Sequence, residues 1–258
     1  MTPPDLTIAV PALNEERRIG DTLRGLLAVA AQVPECRLEI LAVDDGSTDR
    51  TAAIIAEQAR AHPEIRLIQH PRNLGLGAAV RRAAAEARGG RFLIVPGDND
   101  LAPATLAKLL RHAHAADLVM CYFPDRQARG VGRRLLSALF AWIYGAAFGV
   151  RVQYLNGPCV YPTDRVRAIE LFSTRFSIVA EINVKMLRQG LTFVEIPGHR
   201  QTGLAGSTSL SLRNLREVVQ VFLRLFAEVH FRCRRLYGRR PVRGILPMGP
   251  AAGGTQKE

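Results

Sequence analysis

Asp98 and Asp100 stand one residue apart, just after the apolar run Phe92-Leu93-Ile94-Val95 and the break Pro96-Gly97. Two carboxylates at the mouth of a buried strand offer hard oxygens to a divalent cation. They also leave coordination positions open for phosphate oxygens. A solvated turn uses the same residue types, so the pair gains meaning from the other polar turns. Pro11, Asp44-Asp45-Gly46-Ser47 and Asn73 to Gly77 each follow an apolar run as well. Arginine suits bidentate contact with phosphate. Arg200, Arg126 and Arg129 are the first candidates for that role, with Arg133 and Arg134 behind them.

These turns need elements to position them. Strands are predicted at Leu6–Val10, Leu38–Val43, Ile65–Ile68, Phe92–Val95 and Leu118–Cys121. Helices are predicted from Asn14 to Ala31, up to Ala61, over Ala78–Arg88 and over Thr105–Ala115. Ser47 or Thr48 is placed to cap the second helix. Strands alternating with helices at this spacing imply an α/β fold with a doubly wound, mostly parallel sheet. Ligands of such sheets bind outside the carboxyl ends of the strands, where Pro11, Asp45 and Asp98 all fall.

The second half is less regular. Leu135 to Val150 carries no charge and is bounded by Arg133-Arg134 and Arg151. It is slightly short for a membrane span. It reads either as a buried helix or as one lying in a bilayer interface, with Trp142 and Tyr144 at headgroup level. Leu212 to Tyr237 repeats apolar residues near helical period, and arginines decorate the rest.

The 258 residues carry a net charge of +12, almost all of it from Arg. Between Arg200 and Arg243, ten Arg face Glu217 and Glu228, a net of +8. Such a segment attracts polyanions: anionic lipid, phosphorylated substrate or nucleic acid. The basic stretch lacks aromatic interleaving and any recognised nucleic-acid module, so no nucleic acid is expected. No GxGxxG opens the first helix, which disfavours a dinucleotide-binding dehydrogenase. Cys36, Cys121, Cys159 and Cys233 are scattered, which fits reduced thiols in the cytoplasm. No signal peptide is seen at the start.

Four blocks occur in order: Val10-Pro11-Ala12-Leu13-Asn14-Glu15, Val43-Asp44-Asp45-Gly46-Ser47-Thr48-Asp49, Asn73-Leu74-Gly75-Leu76-Gly77 and Gly97-Asp98-Asn99-Asp100. Together they resemble the family 2 glycosyltransferases of GT-A fold, over about residues 6–215. Within that family the chain is similar to dolichyl- or polyprenyl-phosphate sugar synthases. The resemblance implies an inverting, metal-dependent enzyme with a nucleotide-sugar donor, a GDP- or UDP-sugar.

By motif position, Pro11, Leu13, Glu15, Val43 and Asp45 lie around the base and ribose. Asp98 and Asp100 hold the metal, Mg2+ or Mn2+, on the donor diphosphate, Asp100 with a catalytic role, and Asn99 touches sugar or ribose. Asp44 and Asp49 are equally explained as turn-formers. Glu181 matches an acceptor-side position, where many relatives that glycosylate hydroxyls carry an Asp next in sequence as general base. Ile182 stands there instead. A hydroxyl nucleophile needs its proton removed, whereas a phosphate acceptor is already anionic. A polyprenyl phosphate is therefore the expected acceptor, with a hydroxyl acceptor and Glu181 as base the alternative. Relatives carry an Arg just after the fifth strand, where this chain has Met120-Cys121-Tyr122-Phe123, and an Asp where it has Gln153.

The expected organisation is a GT-A domain over residues 1–210, a basic amphipathic helical extension over 211–240 and a disordered tail over 241–258. The expected location is the cytoplasmic face of the cell membrane, held peripherally by an anionic lipid surface.

Overall fold

The computed structural model describes residues 3–124, 131–175, 177–201 and 212–246, with backbone alone at 131–137 and 212–215. Eight strands form one sheet: β1 Leu6–Ala12, β2 Leu38–Asp44, β3 Ile65–Gln69, β4 Arg91–Ile94, β5 Leu118–Tyr122, β6 Cys159–Pro162, β7 Thr192–Pro197 and β8 Val242–Arg243. Their order is β3-β2-β1-β4-β6-β5-β7-β8. Among them β6 alone runs antiparallel to its neighbours, β4 and β5. The remaining pairings are parallel, with helices on both faces to cover strands apolar on both sides.

Helices α1 Ile19–Ala31, α2 Thr51–Ala61, α3 Leu76–Glu86, α4 Pro103–Arg111, α5 Val131–Phe148, α6 Thr163–Ala168 and α7 Ile178–Arg188 connect the strands. The chain ends in α8 Leu212–Ala227, a wider π-type turn at Glu228–Arg232 and α9 Arg234–Tyr237. One apolar core packs α1 and α4 on the sheet through Leu23, Leu26 and Leu109. The other packs α3, α5, α7 and α8 through Val80, Phe148, Met186 and Leu225.

Several local expectations are revised. α1 starts at Ile19 rather than Asn14. Asn14 adopts φ 55°, and the Glu15 and Glu16 N–H groups donate to the side chains of Thr51 (2.8 Å) and Asp49 (3.2 Å). Pro11 does not end β1, because the carbonyls of Pro11 and Ala12 still accept N–H groups from Gly97 and Asp45. The N-cap of α2 is Arg50 rather than Ser47 or Thr48, and Asp49 just before it accepts the Thr51 N–H at 2.9 Å. Val242–Arg243, within the expected disordered tail, extends the sheet beside β7, with Arg243 over the Phe193 ring and paired to Glu195. Residues 247–258 lie outside the described residues. Leu225, Val229 and Tyr237 of the C-terminal helical segment sit in the main core.

Candidate active site

The carboxyl ends of β1, β2, β3 and β4 meet at one edge, and the polar turns interlock there through side chain to backbone bonds. The Asn14 side-chain oxygen accepts the Thr48 N–H at 2.9 Å, and Ser47 Oγ accepts the Asn14 N–H at 2.9 Å. Gly46 sits at φ 74°, where a Cβ would lie 2.3 Å from the Arg72 carbonyl carbon. Glycine is needed there both for its left-handed backbone and for the close approach of the β3 turn.

Asp45 is the hub of this edge. One carboxylate oxygen is 2.7 Å from His70 Nδ1 and accepts the Leu74 N–H at 2.9 Å; the other accepts the Gly75 N–H at 2.8 Å. Asp45 is buried. It therefore clamps the glycine turn between β3 and α3 at the carboxyl edge. His70, one residue past β3, was not singled out by sequence. Its position just beyond an apolar run and before Pro71 was the available signal.

Pro11 and Val43 are register partners across β1 and β2, and both are buried. Leu13 is exposed on the rim. Glu15 lies close enough to Asp98 for repulsion to matter: burial, and then the Asp98 charge, raise its pKa.

The acidic turn is held from two sides. The Thr22 hydroxyl of α1 donates to the Gly97 carbonyl at 3.0 Å. On the other side, the stretch after β7 lies along the turn. The Gln201 N–H donates to the Asp100 carbonyl at 2.9 Å, and the Gln201 amide donates to the Asn99 side chain at 3.2 Å. Leu101 and Arg200 form an antiparallel bridge. Asn99 takes a left-handed φ of 58°, so the chain reverses between the two aspartates.

The Arg200 guanidinium pairs with Asp100, lies 3.4 Å from the Tyr154 hydroxyl and sits 4.7 Å above the Phe123 ring. Burial, with repulsion from Asp100, raises the Asp98 pKa. Partly buried acids that repel one another are a site for added positive charge. The carboxylates of Asp98 and Asp100 thus fit a hard divalent cation whose other ligands come from outside the protein. Among the described residues no three His, Cys, Asp or Glu side chains converge as a complete cage.

Glu181 is not brought to this edge. It is fully buried in α7, accepts the N–H groups of Phe172 (3.1 Å) and Ser173 (2.9 Å), and lies 3.0 Å from the ammonium of Lys185. A carboxylate so enclosed is not open to an acceptor hydroxyl in this structure, which weighs against the alternative that has Glu181 as base. Lys185, also fully buried, reaches Glu228 of the C-terminal π-turn at 2.8 Å. The segment that Glu181 holds then abuts the glycine turn: Gly77 N–H donates to Thr174 O at 3.1 Å. Arg126 and Arg129 lie outside the described residues, and the Arg133 and Arg134 side chains are not described.

A mostly parallel, helix-flanked sheet with paired acids at the carboxyl edge is the GT-A class of fold. Residues 7–176 match the family model described as Glycosyl transferase family 2, more than half of the chain, and the chain belongs to that family. It is 43% identical over 96 residues to a dolichyl-phosphate beta-glucosyltransferase of Trichomonas vaginalis, covering 36% of this chain and 28% of that protein. It is 26% identical over 171 residues to the dodecaprenyl-phosphate galacturonate synthase of Rhizobium johnstonii, covering 65% and 50%. The matched part is thus half or less of each relative's length.

Among solved structures, the chain resembles glucosyl-3-phosphoglycerate synthase of Mycobacterium tuberculosis, crystallised with Mn2+, UDP and phosphoglyceric acid. The TM-score is 0.62 at 20% identity, covering 86% of this chain and 78% of that one. Mannosyl-3-phosphoglycerate synthase of Rubrobacter xylanophilus gives 0.65 at 21% identity, covering 90% and 76%. At these identities the likeness establishes the fold.

Proposed function

We propose that the chain is an inverting glycosyltransferase that moves a sugar from a UDP- or GDP-sugar to a polyprenyl phosphate at the cytoplasmic face of a membrane. The enclosure of Glu181 is the observation that carries the choice of acceptor. A hydroxyl acceptor needs a base in the transition state, and the carboxylate expected to serve is sealed between Lys185 and two backbone N–H groups. A phosphate oxygen attacks as the anion it already is.

Pro11, Leu13, Glu15, Val43 and the turn clamped by Asp45 line the donor end. Asp98 and Asp100, with Asn99 between them, hold Mg2+ or Mn2+ at the donor diphosphate. When bound, the ion supplies Lewis-acid neutralisation of the leaving nucleoside diphosphate. Arg200 pairs with Asp100 and is cradled by Phe123 and Tyr154, and its fork suits the acceptor phosphate. Arg126 and Arg129 remain candidates for the same phosphate. The names of the relatives that act on dolichyl or dodecaprenyl phosphate support this reading.

Radiolabelled sugar transfer tests it, with a detergent-solubilised polyprenyl phosphate offered beside the corresponding alcohol. Transfer to the phosphate alone is expected, lost in excess chelator and in Asp98→Asn. Faster transfer to the alcohol, or turnover that survives chelation, would overturn the acceptor or the metal assignment respectively.

A further inference from the structure

Among the described residues, the outward faces of α5 and α8 carry exposed apolar side chains. On α5, Leu139 is 51% and Trp142 70% exposed, with Ile143 and Ala146 beside them at helical spacing. On α8, Val219 is 49% and Leu223 60% exposed. The opposite faces of the same helices are spent on the core. Tyr144 stacks on Phe140, meets Phe222 and is buried, which corrects its expected place at headgroup level. Phe148 packs on Phe222 and Phe226, so the two helices lie side by side.

Among the described residues of α5 and of the α8 segment, the exposed charge has one sign. Arg216 and Arg224 are exposed on α8, and Arg232, Arg234 and Arg235 follow. α5 contains no acidic residue. The two acids of the α8 segment are turned inward, Glu217 to the Ser177 hydroxyl and Glu228 to Lys185.

The face also adjoins the catalytic edge. The Ser177–Glu217 bond, 2.8 Å, sets the first turns of α8 beside the start of α7. α7 leads into the amino end of β7, so its own start lies at the carboxyl edge. No helix of the described residues is long and apolar enough to cross a membrane. α5, at 18 residues, is about 27 Å long and has one side committed to the core, so it can only lie along a surface.

We infer that the α5–α8 face docks on an anionic lipid bilayer, with Leu139, Trp142, Ile143, Val219 and Leu223 entering the headgroup boundary and the flanking arginines on lipid phosphates. The inference rests on the lipid-phosphate reading of the acceptor and names the surface that brings the site to it. Apolar burial plus attraction to anionic lipid is the combination that holds in-plane helices at an interface. One-signed charge selects this occupant over a second copy of the chain, which would bring arginine against arginine.

Trp142 is the single tryptophan of the sequence, so its fluorescence reports on the face alone. The full chain is titrated with vesicles of phosphatidylcholine, with or without phosphatidylglycerol. With the anionic lipid, a blue shift and quenching by brominated acyl chains are expected, weakened by salt. The exposed pair Leu139→Gln, Leu223→Gln should lower partitioning at least about tenfold and leave the melting temperature and transfer to detergent-solubilised acceptor unchanged. Absence of the shift, or partitioning unaltered in the pair, would overturn the docking face. So would a concentration-dependent dimer that buries Trp142 without lipid. If vesicles bind and no sugar reaches lipid phosphate, the acceptor reading falls and the docking face stands. If solubilised acceptor is glycosylated and vesicles do not bind, the reverse holds.

Discussion

Lys185→Met tests the buried network behind the donor turn. The ammonium lies 3.0 Å from Glu181 and 2.8 Å from Glu228, and donates to the Glu170 carbonyl at 2.6 Å. The side chains of Lys185 and Glu181 are fully buried, and that of Glu228 is 16% exposed. Methionine keeps the apolar stem but loses the ammonium that sits 4.5 Å over the Phe172 ring, and it leaves two carboxylates facing each other without a cation. Removing one partner of a buried ion pair costs about 3–5 kcal/mol. The whole fold is worth about 5–15 kcal/mol, so this is a large share of it. At roughly 2–4 °C per kcal/mol for a chain of this size, the melting temperature should fall by about 6–20 °C.

Differential scanning calorimetry measures the fall. Glu228→Gln added to Lys185→Met should recover part of it, because one of the two repelling charges is removed. A variant melting within about 2 °C of the parent would refute the reasoning, since the network would then contribute less than about 1 kcal/mol. Glu181→Gln separates scaffold from base. As scaffold it lowers stability and weakens donor binding through the Phe172–Thr174 segment, with turnover at saturating donor nearly kept. A loss of about 10²–10⁴ in that turnover with unchanged stability would restore Glu181 as a base.

Two further outcomes follow from steric and electrostatic detail. In Gly77→Ala the new Cβ would sit 2.0 Å from the Ser173 carbonyl oxygen, a backbone atom, so the turn or the segment must move. A loss of about 1–3 kcal/mol by urea denaturation, with weaker nucleotide binding by calorimetry, is expected; parental values for both would contradict the close approach. Burial pushes the Cys36 and Cys121 thiols up to about 11 and Cys159 further still. At pH 8 only about one in a thousand of the Cys36 and Cys121 thiols is ionised, and reaction with a disulfide reagent requires the thiolate. Native protein should therefore label first at the half-buried Cys233, faster at the others as pH rises toward 11, and fully in denaturant. Rapid labelling of two or more thiols at pH 8 would refute that burial.

The strand and helix order of the first half was legible because apolar runs, punctuated by Pro, Gly and Asp, carry a period that local sterics enforce. The same punctuation put Pro11, Asp45 and Asp98 at one edge before any coordinates. The start of α1 was not legible. Asn14 to Glu16 look like a helix opening, yet their backbone bonds go to Ser47, Asp49 and Thr51, more than thirty residues away. The amphipathic pattern of the C-terminal segment showed helix but not that Leu225 and Val229 enter the main core, since periodicity names a face without naming its partner.

The chain's own order of residues determined the class of sheet, the acidic turn and the family, because those depend on local pattern and on short motifs in fixed succession. Tertiary structure decided what each carboxylate is for. Asp45 and Glu181 differ little from Asp98 as isolated side chains. Asp45 spends its oxygens on His70 and two backbone N–H groups, and Glu181 on Lys185 and two more. Asp98 and Asp100 keep unmet charge at the carboxyl edge, with Arg200 paired to Asp100 and the Arg18 charge acting on Asp98. Burial and hydrogen-bond supply set the role of an acid, and both are properties of the fold around it.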